Sequence, residues 1–319
     1  MRLENVSPDE IDLQDRRFRI SYHFDLQPLL LSIEKIGLVN PPVVVRRGGK
    51  RFILVSGWKR IAACLELSLL HLPVFVLDEK DDFRAFLVSL YDNLTTRKFD
   101  LLEKAQILSL LCGFVEDEKK IAGLFLPLLE IPPTLSCLDI YLRIARLSPR
   151  WKDAIFKKKI PLSCVELLLE FSPREKNQLF PLLEPLNANK QKQILGDLYD
   201  LSRKIEKSPQ NIMEGPEVQS ILKNKNLSPL QKAEQVRSLI EKRRYPFLSE
   251  REESFKARLK KAGLSSKASY NPVSLFEDGE FSIAFDLKSR DSFQKRIAGL
   301  RELISDDDLF RLFGDFSDG

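Results

Sequence analysis

Hydrophobic positions in the first hundred residues switch between a helical period and short continuous apolar runs. Leu26, Leu29, Leu30, Ile33 and Ile36 recur at helical spacing and stop at Gly37, which predicts a helix capped at Asp25. Asn40-Pro41-Pro42 then breaks the chain. Val43–Val45 reads as a strand, Gly48-Gly49 as a hairpin turn and Phe52–Val55 as the return strand. Trp58 to Ala63 reads as a short helix behind Gly57, Leu72–Leu77 as a further strand, and Asp82 to Tyr91 as a helix leading into Asp92-Asn93-Leu94-Thr95-Thr96-Arg97. Residues 1–24 read as a polar leading segment with a turn or helix start at Ser7-Pro8-Asp9-Glu10.

From Phe99 the pattern is helical only. Asp100 and Glu103 form a capping box for a helix running to about Leu111. Ser148-Pro149, Ser172-Pro173, Ser208-Pro209 and Ser228-Pro229 repeat one device, serine at the N-cap and proline at N1, so the middle is an array of short helices. Beyond Tyr245 a helix over 249–262 is followed by a strand, Val273–Phe276, and an Asp278-Gly279 hairpin turn. The return strand sets Phe281, Ile283, Phe285 and Leu287 against Ser282, Ala284 and Asp286, and a helix over 292–304 covers it. Its apolar face is buried either on these helices or in a dimer interface. The prediction is an α+β protein of three parts: 1–98, an all-helical 99–245, and a small α+β domain over 246–319.

Composition narrows the class. With 43% hydrophobic and 30% charged residues in 319, the chain has the make-up of a soluble globular protein, and no apolar run reaches the length of a membrane span. Met1 to Glu10 lacks the apolar core of a signal peptide. Cys64, Cys112, Cys137 and Cys164 are dispersed, as expected of reduced thiols and not of a disulfide frame or zinc site. With His23 and His71 as the only histidines, metal-hydrolase and Ser-His chemistry are poorly supported. The net charge of +5 is concentrated in two tracts, one from Arg143 to Lys159 and one from Lys242 to Lys261, while the last residues are acidic. That asymmetry points to a polyanionic partner.

The chemistry centres on Ser56-Gly57-Trp58-Lys59-Arg60. A glycine between strand and helix leaves the amides of Trp58, Lys59 and Arg60 as unpaired first-turn donors beside two cations, which is an anion site in outline. The simpler alternative is a helix start with two solvated cations.

Taken in order, five segments resemble the ParB/sulfiredoxin-like N-terminal domain of ParB-type partition proteins. They are Leu30 to Leu38, Pro41 to Val45, Phe52 to Ala63, Leu72 to Val76, and Asp92 to Arg97 followed by Glu103-Lys104-Ala105. The resemblance implies a cytidine triphosphate (CTP) site with Mg2+, in which nucleotide closes a dimeric clamp on DNA and slow hydrolysis reopens it. It places Gly57, Trp58, Lys59, Arg60, Asn93 and Arg97 at the nucleotide and Asp92 at the metal. Trp58 and Lys59 depart from the family's Gly-Glu-Arg-Arg turn. In its Glu-Asn-x-x-Arg segment Asp92 replaces the glutamate, and the arginine position falls on Thr96, with Arg97 one place late.

The same resemblance implies a helix-turn-helix at 119–129 and 134–146, turning at 130–133. Thr134, Leu135, Ser136, Cys137, Leu138 and Asp139 make a poor base reader at the start of its second helix. Phosphate contact is then expected from Arg143, Arg146, Arg150, Lys152, Lys157, Lys158 and Lys159. The expected protein is cytoplasmic and nucleoid-associated, a homodimer on DNA, with a partition ATPase as a further partner and no membrane contact. Two alternatives stay open. One is an enzyme on the same domain, such as a small-molecule kinase using Glu66 and Asp92. The other is an interaction protein that lost the nucleotide.

Overall fold

The structure, a computed structural model, describes residues 1–22, 25–47, 51–157, 159–262, 268–269, 282–283 and 290–305. His23, the Gly48-Gly49 turn, Lys158, the Val273–Phe276 strand, the Asp278-Gly279 turn, most of the predicted return strand and the acidic end lie outside them. The chain divides into two compact units, Met1–Lys159 and Ile160–Gly319. The boundary drawn from the sequence between residues 98 and 99 falls inside the first.

The first unit is built on a five-stranded sheet in the order β1-β5-β3-β4-β2. Its strands are β1 (Arg2–Val6), β2 (Ile11–Asp12), β3 (Val43–Arg46), β4 (Phe52–Ser56) and β5 (Leu72–Leu77). β1 runs antiparallel to β5 and β3 antiparallel to β4, while β3–β5 and β2–β4 are parallel. Alternation assigns the two faces. Val44, Phe52, Leu54, Leu72, Val74 and Val76 point to one core, completed by Ile33 of α1 (Gln27–Ile36) and by Ile61 and Cys64 of α2 (Trp58–Glu66). Val43, Val45, Ile53 and Val55 point to the other.

That second core is shared with helices from beyond residue 98. It takes in Phe86 and Leu90 of α3 (Asp82–Leu94), Ile107, Leu108 and Leu111 of α4 (Leu101–Phe114), Ile121 of α5 (Glu118–Leu124) and Leu138 of α6 (Leu135–Ala145). The unit ends with α7 (Pro149–Phe156). Because the sheet is buried on both faces, α3 and α2 are both anchored above the end of β4.

The leading segment differs from the sequence reading. β1 and β2 are strands at the two edges of the sheet, with a short 3-10 turn at Pro8–Glu10 between them. Only Val6 of β1 is buried, so its alternation is too faint to read, and β2 is two residues long. The helix read over 82–91 continues to Leu94, so Asp92 and Asn93 lie on α3 and not in a loop.

The second unit contains α8 (Leu162–Leu169), α9 (Pro173–Leu183), α10 (Ala188–Lys204), α11 (Pro209–Met213), α12 (Pro216–Lys223), α13 (Pro229–Arg244) and α14 (Pro246–Lys261), then β6 (Ala268–Ser269), β7 (Ser282–Ile283) and α15 (Arg290–Ile304). Each Ser-Pro pair starts a helix: Ser148, Ser172, Ser208 and Ser228 are N-caps with proline at the next position. Ser172 and Ser228 complete capping boxes with Glu175 and Gln231. α10 packs on α8 and α13. β6 and β7 pair antiparallel.

Candidate nucleotide cleft and nucleic-acid interface

β4 is apolar to its last residue, where Ser56 is buried and Gly57 turns the chain into α2. Gly57 has φ +99°, a left-handed conformation open to glycine. A Cβ there would lie 2.9 Å from Pro42 Cβ, so the residue is fixed by conformation and by space. The first backbone bond of α2 is Ile61 N–H to Gly57 O at 3.0 Å. The amides of Trp58, Lys59 and Arg60 precede it, and all three residues line a cleft of about 790 Å³.

The cleft is lined by Gly57, Trp58, Lys59, Arg60, Asp92, Asn93 and Arg97, so all seven residues predicted for nucleotide and metal converge on it. Ile20, Val43, Phe75 and Val88 supply apolar wall. The volume lies within the range of small-molecule sites. Lysine and two arginines against one aspartate give the lining a net positive charge, which suits an anionic ligand.

Several of these side chains already have partners. Arg60 Nη1 donates to Asn40 O (2.8 Å) and Pro41 O (3.0 Å), and Nη2 lies 3.4 Å from Asp92 Oδ2. Burial lowers the Arg60 pKa, against the pull of Asp92. Asp92 Oδ2 also accepts from Ser56 Oγ. Asn93 Nδ2 donates to Ser89 O at 2.8 Å, and its Oδ1 accepts from Arg97 Nε at 3.0 Å. Arg97 thus meets the Asn93 side chain, while Thr96 Oγ1 donates to the Asn93 backbone carbonyl at 3.2 Å. Arg97 Nη1 lies 2.6 and 2.7 Å from the Glu103 carboxylate and Nη2 donates to Ser21 Oγ at 2.9 Å. Glu103 is buried and also completes the Asp100 capping box. Among the described residues Lys59 has no hydrogen-bonding partner, and the Trp58 indole Nε1 is buried without one. Arg19 stacks over the Trp58 ring at 5.3 Å.

Sequence reasoning gave Ser56 no partner, missed Ser21 and Arg19, and read Glu103 as a capping residue without its bond to Arg97. Ser56 carried a usable signal, a polar residue closing an otherwise apolar strand. Arg19 and Ser21 carried none, since tertiary contact alone brings them near the turn.

Metal chemistry has one candidate here. Among the described residues no group of three or more His, Cys, Asp or Glu side chains could hold a metal by itself. Asp92 is the carboxylate in the cleft, and Mg2+ is commonly held by one carboxylate together with phosphates and water. The donor set therefore fits a metal that arrives with a phosphate ligand.

The helix pair lies at α5 and α6. Asp117 caps α5 by accepting from the amides of Lys119 and Lys120. Glu130, at φ +57°, makes the turn after a 3-10 segment at Pro127–Leu129. Thr134 caps α6 through Cys137 N. The surface at the start of α6 is formed by Leu135 (46% exposed), Ser136 and Asp139, with Leu124 (64% exposed) on the preceding helix. Asp139 lies 3.8 Å from Arg143.

Of the predicted phosphate contacts, Arg146, Arg150, Lys157 and Lys159 are exposed and Arg143 is half-buried. Lys152 differs from these. Its Nζ donates to Ala145 O at 2.6 Å and lies 5.7 Å above the Tyr22 ring, and burial lowers its pKa. It caps α6 and is not a free cation.

Comparison with known proteins adds an outside measure. Residues 1–94 match the ParB N-terminal domain family. The chain is 26% identical over 183 residues to the probable chromosome-partitioning protein ParB of Chlamydia muridarum (strain MoPn / Nigg), a match covering 53% of this chain and 62% of that protein. Among solved structures it is similar to C-terminally truncated ParB of Caulobacter crescentus complexed with CTP-gamma-S, at 17% identity and TM-score 0.27, over 57% of this chain and 99% of that one. The same protein on the centromeric parS site aligns at 14% identity and TM-score 0.34, over 59% and 96%. A Pnob8-like ParB-N domain aligns at 13% identity and TM-score 0.35, over 76% and 97%.

Proposed function

We propose, from the premise that this chain is a divergent member of the ParB-type partition family, that it is a DNA-binding partition or regulatory protein whose first unit responds to CTP. The observation that carries this reading is the convergence of the Gly57 turn, Lys59, Arg60, Asp92 and Asn93 on one positively charged cleft. The amides and Lys59 would meet phosphate oxygens. Asp92 and Asn93 would stand at the metal and triphosphate, with Mg2+ neutralising phosphate charge. DNA would be held at its backbone by Arg146, Arg150, Lys157 and Lys159, without base reading by α6. The working form would be a homodimer in the cytoplasm, on the nucleoid, with a partition ATPase as partner. Among the described residues no helix is long and apolar enough to cross a membrane.

Titration calorimetry with CTP and Mg2+ tests the nucleotide half. Binding is expected, weakened about tenfold or more by Lys59→Ala, the loss of roughly one charge-assisted contact. No heat with any nucleotide would overturn it. A second reading, an interaction protein that kept the fold, is favoured by the prior commitment of Arg60 and Arg97 to Asn40, Pro41 and Glu103.

A further inference from the structure

The corner between α13 and α14 is Tyr245-Pro246-Phe247, and it leaves two rings in solvent. Tyr245 is 40% and Phe247 66% exposed. An arginine stacks on each: Arg244 lies 4.5 Å over Tyr245 and Arg251 4.3 Å over Phe247. A single guanidinium covers one face of a ring and leaves the other available, while fixing the ring's orientation.

The charge around the corner is one-sided. From Lys242 to Lys261 there are eight lysines and arginines against Glu250, Glu252 and Glu253, a net +5 that equals the net charge of the whole chain. The remainder of the sequence therefore sums to zero. Helical spacing sets three of the five cations of α14 in a stripe with one ring, because Phe247, Arg251, Arg258 and Lys261 fall within about 40° of one line. Phe255 and Leu259, buried beside this line, seat the helix on its unit, while Lys256 and Lys260 lie on the side opposite the stripe. Near the corner Lys242 pairs with Glu253, Arg243 with Glu217, and Arg244 with Asp197 and Asp200. The Lys242–Glu253 pair is exposed on both sides and contributes little, so it exchanges readily for phosphate, whereas Arg244 is held by the buried Asp197 and serves to orient the Tyr245 ring.

We infer that this corner is a binding surface for single-stranded DNA, with unpaired bases stacking on Tyr245 and Phe247 and phosphates running along the α14 stripe. The chemistry selects single strands because the faces of unpaired bases are free to stack on aromatic rings, whereas duplex DNA offers its phosphates. The site lies in the second unit and is independent of the CTP cleft.

Fluorescence anisotropy with labelled oligo(dT) on the full chain tests it, with duplex of the same length measured in parallel. Tyr245→Ala/Phe247→Ala is expected to weaken oligo(dT) binding on the order of a hundredfold, at roughly tenfold per lost stack, and to leave duplex affinity unchanged. Tyr245→Trp/Phe247→Trp restores oligo(dT) binding, which separates stacking from damage to the fold. Equal loss for single strands and duplex would overturn the inference, as would no loss. Competition by poly-glutamate as strong as by unlabelled oligo(dT) would overturn it too, by assigning the surface to acidic protein. A failure of CTP binding leaves all of these outcomes readable.

Discussion

The cleft beside β4 and the α5–α6 helix pair both lie on the sheet core of the first unit, yet they present opposite surfaces. The cleft draws Lys59, Arg60, Arg97, Asp92 and Asn93 into about 790 Å³. The leading surface of α6 offers Leu135, Ser136 and Asp139, and its nearest arginine is 3.8 Å from Asp139. A phosphate ligand would find amides and cations at the first. A base edge would find almost no donors at the second. One fold thus gathers cations and unpaired amides at the end of β4 and offers almost none at the start of α6. The difference teaches that the packing of a scaffold does not fix the chemistry of its surface. The core of α6 is intact, with Leu138 and Ile144 buried, whatever its outer face carries.

The cleft side of the comparison breaks most sharply at Gly57. Gly57→Ala forces a Cβ to 2.9 Å from Pro42 Cβ and into a left-handed backbone. Stability is expected to fall by about 1–3 kcal/mol. CTP affinity is expected to fall on the order of a hundredfold, through displacement of two or more amide donors. Urea unfolding and calorimetry measure the two effects, while DNA affinity at fixed salt stays within a factor of about two, because the exposed cations of 146–159 do not depend on this turn. Loss of DNA binding in a folded Gly57→Ala protein would show that the two regions are not separable.

A smaller effect is expected at Glu103, which ties the cleft to α4. Its buried carboxylate receives Arg97 Nη1 and the Asp100 amide. Glu103→Ala leaves Arg97 without its main acceptor. Since Arg97 is a quarter exposed and water replaces part of the loss, the cost is about 2 kcal/mol in urea unfolding. Glu103→Gln, which keeps an acceptor, should cost about half as much. A released Arg97 still lines the cleft, so CTP affinity of the folded protein holds or rises. A fall would show that Arg97 serves the ligand only when Glu103 positions it.

Legibility in the sequence followed the physical strength of each signal. Ser-Pro starts, the Asp100–Glu103 box and the apolar run of Val43 to Val45 are local and were readable. The Gly57 turn was readable as a strand-to-helix junction, but by itself it did not tell an anion site from a helix start with two solvated cations. β1 was not readable, because one buried residue in five gives no period. The partners of Asp92, Arg60 and Arg97 were unreadable for a different reason. Ser56–Asp92 and Arg97–Ser21 join positions 36 and 76 residues apart, and no composition or spacing encodes them. Charge runs carry no sign of such partners either, since Lys152 belongs to a basic tract in sequence and binds the α6 terminus in space.

That last point yields the smallest prediction, and it sharpens the DNA side of the comparison. Each lysine or arginine that neutralises a phosphate adds about 0.9 to the slope of log K against log salt. Arg146 is exposed at the end of α6, so Arg146→Gln should lower that slope by about one unit on any duplex sequence, with little change in sequence preference. Lys152 stands six residues further along the same tract, and its ammonium is already bound to Ala145 O. Burial lowers its pKa by disfavouring the charged form, and any phosphate would have to displace a helix-capping bond to reach it. Lys152→Gln should therefore leave the salt slope unchanged while lowering stability by about 1 kcal/mol through the lost cap. A slope that falls equally in both variants would mean that α7 reorganises on DNA. The surface of the first unit would then be set by its ligand and not by the packing of its core.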